Sequence, residues 1–384
     1  MASAAIVQPD SSVDFSSTPR FYRPELDALR LFAFFAVYLC HSIPNTLANQ
    51  RGGMLAAIKD AGNFGVCLFF LLSSFLITEL LRREYQRCHM IHVEAFYIRR
   101  ILRIWPLYFG ITLLYAIGGH FFHAMRMETA RILAYFLLAG NWFIAFHPWI
   151  QTPLRSLWSI SVEEQFYLVW PLIARYGAMR ALMHASLVIL PLSFLTICIA
   201  SANPYAYNTV WLNSFTQFQF FAWGALLALA LQGRIPHRPP ILRTVMAATG
   251  IALWLVAACA TNIKRPAAHA SPSQFCFGYL LVAAGCILLL LAVLGVSSSR
   301  VPQSIAWLGK ISFGLYVFHE PAFLIVDGLQ KHLRLNFTAS PALVINKAVA
   351  LCITALLAAF SYRFWESPFL RLKHRFTWIR SREI

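Results

Sequence analysis

Ile132-Leu133-Ala134-Tyr135-Phe136-Leu137-Leu138-Ala139-Gly140-Asn141-Trp142-Phe143-Ile144-Ala145-Phe146 is the run on which the layout of the chain turns. It is apolar, yet Gly140 and Asn141 interrupt it, and a helix crossing a bilayer needs about 20 predominantly apolar residues. Outside this run, apolar periodicity and breaker residues mark ten spans. They are Leu26 to Pro44, Gly62 to Leu81, Ile101 to Gly118, Leu157 to Arg175, Leu182 to Ser201, Trp211 to Leu231, Val245 to Thr261, Phe275 to Val296, Ile305 to Ile325 and Leu343 to Trp365. If the doubtful run does not cross, one side of the membrane receives Arg20 and Arg23, the cluster from Arg82 to Arg103, Arg175 and Arg180, the cluster from Arg234 to Arg243, Arg300, and a tail carrying Arg371, Lys373, Arg375, Arg380 and Arg382. If it crosses, the Arg234 to Arg243 cluster and the tail move outside, against the positive-inside rule. The run is therefore expected to be re-entrant or interfacial. The fold class is an all-α, polytopic membrane helix bundle of about ten transmembrane helices, with both termini cytoplasmic.

Composition agrees with that class. Of 384 residues, 59% are hydrophobic and only 12% charged, against about 25% charged in soluble domains. The formal net charge of +17 reads as topology, and nucleic acid is not an expected partner because no basic stripe is interleaved with exposed aromatics. The eight cysteines show neither a disulfide framework nor zinc spacing. His89/His92 and His120/His123 lack surrounding cysteine or carboxylate ligands, so no metal is expected. Residues 1–24, rich in Ser, Ala and Pro, read as a disordered cytoplasmic tail. Residues 25–366 read as one membrane domain and 367–384 as a basic cytoplasmic tail.

Ionisable groups inside spans are costly and usually functional. Arg30 and His41 stand about 16 Å apart on one face of the first helix, with Asp27 a turn from Arg30. The bland alternative is a snorkelling arginine and a core histidine. In Leu157-Trp158-Ser159-Ile160-Ser161-Val162-Glu163-Glu164-Gln165-Phe166-Tyr167, the adjacent carboxylates face about 100° apart, so one can enter the bundle while the other pairs elsewhere. Ser312-Phe313-Gly314-Leu315-Tyr316-Val317-Phe318-His319-Glu320-Pro321 brings a second histidine to about the depth of His41, either for chemistry or as a structural group bonded to a carbonyl. Tyr97-Ile98-Arg99-Arg100-Ile101-Leu102-Arg103-Ile104-Trp105-Pro106-Leu107-Tyr108 stacks Arg99 on Arg103 with Arg100 as a second prong, suited to multidentate phosphate binding as well as to positive-inside anchoring. The small residues in Phe69-Phe70-Leu71-Leu72-Ser73-Ser74-Phe75-Leu76-Ile77 point to close helix packing.

In this order, from Tyr22 to Glu366-Ser367-Pro368, these motifs resemble the acyltransferase 3 family. One departure is Ser74, where the family usually has Gly. The resemblance implies an integral membrane O-acyltransferase of the bacterial inner membrane. It would move an acyl group, with acetyl expected, from a cytoplasmic acyl-CoA to a hydroxyl of an extracytoplasmic glycan or glycolipid. Many relatives carry an added soluble hydrolase-like domain, and a stand-alone type is expected here. The resemblance makes His41 the essential histidine and the arginines its partners. A sugar hydroxyl becomes a nucleophile when a base takes its proton, a role that fits histidine. The expected catalytic set is His41, Glu163, Glu164 and His319, with Glu163 or Glu164 orienting the imidazole. Arg30, Arg99, Arg100 and Arg103 are expected to hold the phosphates of acyl-CoA, acetyl-CoA being the expected form; no tightly bound cofactor is expected. A transporter or flippase would also place ionisable groups at mid-membrane, but no inverted repeat is visible.

The orientation is testable with single cysteines at Ser381, Asn208 and Gln232 in a protein lacking its native cysteines. An impermeant thiol reagent should label only Asn208→Cys in intact cells. Strong labelling of Ser381→Cys would export the basic tail and overturn the charge-based layout.

Overall fold

The computed structural model describes residues 22–45, 47–48, 53–122, 125–147, 152–202, 206–261, 263, 270–333 and 340–376. The cysteine-labelling site Ser381 and most of the expected N-terminal tail lie outside them. The described residues are helical and include no strand, as lipid requires, because a helix satisfies its backbone hydrogen bonds internally. Seven helical runs are long and apolar enough to cross a bilayer: Gly53–Cys88, Val93–Phe121, Arg155–Ser201, Ser214–Leu231, Pro240–Ala260, Pro272–Val293 and Ala342–Leu372. The molecule is a polytopic helical bundle.

The helices are α1 (Pro24–Ser42), α2 (Gly53–Gly62), α3 (Gly65–Cys88), α4 (Val93–Phe121), α5 (Thr129–Phe136), α6 (Gly140–Phe146), α7 (Trp158–Ser201), α8 (Ala206–Trp211), α9 (Ser214–Leu231), α10 (Pro240–Ala260), α11 (Pro272–Val293), α12 (Gln303–Lys310), α13 (Ser312–His332), α14 (Ser340–Ser361) and α15 (Ser367–Leu372). Local chemistry starts several of them. Pro24 opens α1 with Glu25 and Asp27 in its first turn, where acids complement the helix dipole. Asn213 caps α9 by accepting from the Phe215 amide. Ser271 and Gln274 form a capping box on α11, which has Pro272 at its start.

The decisive run folds as two short helices, α5 of 8 residues and α6 of 7, joined through Leu138 at φ 55°. Neither reaches half the hydrocarbon thickness at 1.5 Å per residue. Asn141 anchors the break by donating to the Leu212 carbonyl and to Ser214 Oγ, both at 2.9 Å.

The 44 residues of α7 would extend about 66 Å if straight, too long for one crossing. Backbone at Ala178 leaves the helix, with φ 53° and ψ −157°. Gln165, in the first half, accepts from Ser214 Oγ at 2.5 Å. Ser193, in the second, donates to the Phe215 carbonyl at 2.7 Å. Both halves thus meet the same end of α9, and α7 is a hairpin turning at Ala178. The expected segment Ile305 to Ile325 needs correction: α12 ends at Lys310 and a new helix begins at Ser312. Gly309 is the reason for the close approach here, since a Cβ on it would strike the backbone of Asp27.

Stacked aromatics knit α3, α7 and α9, with Phe70 on Phe221 at 4.8 Å and Phe166 on Phe221 at 4.3 Å between centroids. Ser74 is fully buried, and a Cβ on Gly224 of α9 would collide with its hydroxyl and with the Leu71 carbonyl. The small residue that permits close approach stands on the partner helix, so serine fits where the family usually has glycine.

Gly224→Ala should therefore lower the melting temperature in detergent. Ala178→Gly should raise it or leave it unchanged, because glycine occupies the left-handed region at no steric cost. A stable Gly224→Ala protein would contradict the tight α3–α9 seam.

Candidate active site

The last turn of α1 carries His41, and α13 carries His319 one third of the way along. Their rings stack with centroids 5.1 Å apart, and His41 Nδ1 lies 2.8 Å from His319 Nε2. Glu320 places Oε1 at 2.9 Å from the same His41 Nδ1. Arg155, in the short 3-10 turn Arg155–Leu157 before α7, donates to that oxygen from Nε at 3.0 Å and from a terminal nitrogen at 2.5 Å.

The partners assign the tautomers. His319 Nδ1 is 2.5 Å from the Tyr316 carbonyl. A carbonyl only accepts, so Nδ1 of His319 carries the hydrogen and Nε2 of the neutral ring offers a lone pair. His41 Nδ1 then faces two acceptors, His319 Nε2 and Glu320 Oε1, and must donate. Its Nε2 is left with the lone pair, the form of a general base. His319 is fully buried among the rings of Phe34, Tyr316 and Phe323. His41 keeps 20% of its side chain exposed, so it is the histidine able to meet a reactant.

A cleft is lined by Arg30, Arg100 and Arg103, by Ser73, Glu163 and Tyr167, and by Ser159 and Tyr316. Tyr316 joins it to the histidines, its ring centroid 5.5 Å from that of His319. Arg30 donates to Asp27 at 2.8 Å, and Arg103 donates to the Lys310 carbonyl at 3.3 Å. The Arg100 guanidinium lies over the Phe96 and Tyr167 rings at 5.6 and 5.4 Å, and its Nε is buried without a hydrogen-bond partner.

The adjacent carboxylates diverge as helical geometry requires. Glu163 faces the cleft and accepts from Ser73 Oγ and Tyr167 OH. Glu164 turns towards α4 and accepts from Trp105 Nε1 at 2.8 Å. Two expectations are corrected. The carboxylate holding His41 is Glu320, not Glu163 or Glu164, because α1 meets α13 at the level of His41. Arg99 is not among the cleft's lining residues: it donates to the Phe376 carbonyl at 2.6 Å and to Glu84 at 3.2 Å, tying the C-terminal turn to the end of α3.

Glu320 and Arg155 were missed as site residues. Glu320 was visible as an ionisable group beside His319 within an apolar helix, whereas Arg155 looked like a loop charge. The donor atoms of His41, His319 and Glu320 lie within 4.8 Å of one another, close enough to invite a cation. Two nitrogens on one tetrahedral zinc stand about 3.3 Å apart, however; the 2.8 Å separation here is that of a hydrogen bond, and Arg155 already brings positive charge to the carboxylate.

The acyltransferase domain that defines the acyltransferase 3 family matches residues 23–363. The chain belongs to this family. Among curated relatives, the peptidoglycan O-acetyltransferase OatA of Listeria monocytogenes is 25% identical, with the match covering 91% of this chain and 56% of the relative. The O-acetyltransferase OatA of Staphylococcus aureus is 26% identical, with 91% and 57% covered. The chain thus spans little more than half the length of these acyltransferase 3 relatives. No solved structure matches it.

Removing one member of the Glu320–Arg155 pair takes the opposite charge away from a largely buried partner, and breaking a buried pair in this way costs about 3–5 kcal/mol in typical cases. Glu320→Ala and Arg155→Ala should each destabilise strongly, and the double variant by clearly less than their sum, with a coupling of about 1–3 kcal/mol. Additive losses in a detergent unfolding titration would mean that the pair contributes nothing as a unit.

Proposed function

We propose that this chain is a membrane O-acyltransferase that moves an acyl group, acetyl in the first instance, from an acyl-CoA to a hydroxyl of a cell-envelope glycan or glycolipid. The observation that carries the proposal is the pair His41 and His319, with His41 Nδ1 held by Glu320, which Tyr316 connects to a cleft lined by Arg30, Arg100 and Arg103. The names of the relatives support an acetyl donor group and a peptidoglycan acceptor. The arginines would grip the donor phosphates, with the unpartnered Arg100 Nε free to bond an oxyanion. The pantetheine arm would run past Ser73 and Glu163 to bring the thioester to the histidines. The roughly 16 Å between Arg30 and His41 along α1 is comparable to the reach of that arm.

In the transfer, His41 Nε2 takes the proton of the acceptor hydroxyl as its oxygen attacks the thioester carbonyl. The imidazolium so formed donates from Nδ1 to Glu320, whose negative charge faces it while Arg155 fixes the carboxylate in place. Collapse of the tetrahedral intermediate expels the thiolate of coenzyme A, which recovers the proton from His41. An ester and a free thiol leave, and the base is restored. Glu163 contributes polarity to the wall of the donor cleft, and Glu164 fixes α4 through Trp105. With the arginine end in the cytoplasm and His41 near the outer surface of a bacterial inner membrane, donor and acceptor approach from opposite sides.

Labelled acetyl-CoA and isolated cell-envelope glycans test the reaction. His41→Ala should lose about 10²- to 10⁴-fold in transfer, the range that general acid–base groups contribute, while still inserting and expressing. Normal acceptor modification at equal protein level would remove His41 from the chemistry.

Donor binding gives a separate reading. Arg103→Lys should weaken coenzyme A binding about tenfold, because the planar fork is lost, whereas Arg99→Lys should leave it unchanged. Equal calorimetric affinities for wild type and Arg103→Lys would assign the arginines to topology alone.

A further inference from the structure

Away from the cleft, two thiols meet between α7 and α11. The Sγ atoms of Cys198 and Cys276 are 3.7 Å apart, Cys198 exposed and Cys276 half-buried. Cys198 lies three residues before the end of α7 at Ser201, and Cys276 four residues after the start of α11 at Pro272. Each is therefore about 4.5–6 Å along its axis from a helix end, near one surface of the bundle.

The surface concerned is the one nearer His41. Arg155, bonded to Glu320 beside His41, precedes the first half of α7, and Gln165 of that half bonds Ser214 at the start of α9. Ser193 of the second half bonds Phe215 at the same end, and Cys198 lies further along in that direction. In the orientation of the proposed function this end faces out of the cytoplasm, where thiols oxidise and disulfides persist.

We propose that Cys198 and Cys276 form a disulfide that staples the second half of α7 to α11 at the extracytoplasmic surface. The proposal rests on that orientation. Side-chain rotation must close the sulfur separation to about 2 Å. The oxidant is an extracytoplasmic disulfide, of a thiol oxidase or a small molecule. One cysteine thiolate attacks it and expels a thiolate, giving a mixed disulfide. The second cysteine thiolate then attacks the mixed disulfide, forming the Cys198–Cys276 bond and releasing the second thiolate of the oxidant. The two cysteines lose two protons and two electrons, and the oxidant's disulfide gains the electrons.

Differential alkylation tests it on the native chain. Free thiols are blocked in intact cells and again on denaturation, then the protein is reduced, labelled with a second reagent of different mass, and its peptides weighed. The peptides holding Cys198 and Cys276 should both carry the second label, and in Cys198→Ser the Cys276 peptide should carry the first. Reduction should lower the melting temperature of wild type but not of Cys198→Ser. If both peptides carry the first label while Asn208→Cys is reached by an impermeant reagent, the disulfide is refuted and the orientation stands. If they carry the first label and Asn208→Cys is shielded in intact cells, the orientation fails and takes the disulfide with it.

Discussion

One carboxylate oxygen joins three parts of the bundle. Glu320 Oε1 on α13 receives His41 from the end of α1 and the guanidinium of Arg155 from the turn before α7. In a low-dielectric interior such a charge is tolerable only when paired and hydrogen-bonded. Meeting that requirement fixes the relative positions of the three elements. It also gives His41 its tautomer, because His319 is committed to the Tyr316 carbonyl through its other nitrogen. The same network that satisfies a buried charge engages Nδ1 of His41 and leaves its Nε2 with the lone pair.

The arginines divide into groups with different work. Arg30, Arg100 and Arg103 line the cleft. Arg82 and Arg83 both bond Glu79, and Arg99 clamps the C-terminal turn. Arg238 and Arg243 donate to the carbonyls of Leu291, Ala292 and Leu294 at the end of α11, where helix carbonyls lack partners and the dipole is negative. Charges that report orientation by their number also cap helices and shape a cleft, and a count cannot separate these uses.

Helix approach follows complementarity between partners. Ser74 and Gly224 divide the task of bringing α3 and α9 together, and Gly309 does so alone for α12 against α1. Such seams hold the arginine-lined cleft in shape, because α3, carrying Ser73, and α7, carrying Glu163, both pack on α9.

The sequence by itself determined the helical membrane class, since apolar length and backbone satisfaction in lipid leave no other solution. It also determined the break within residues 132–146, through Gly140 and Asn141, and it picked out His41, His319 and the arginines as ionisable groups in apolar helices. The divergence of Glu163 from Glu164 was legible too, because neighbours on a helix point about 100° apart. The tertiary structure decided which of them turned inward, which carboxylate reached His41, and that Arg155 bonds that carboxylate while Arg99 lies away from the cleft lining. It also split the segment around Ser312 and brought Cys198 to Cys276. The physical reason is the same in each case: periodicity assigns a residue to a face of its own helix, whereas partnership depends on which helix packs against that face, at what depth and how closely.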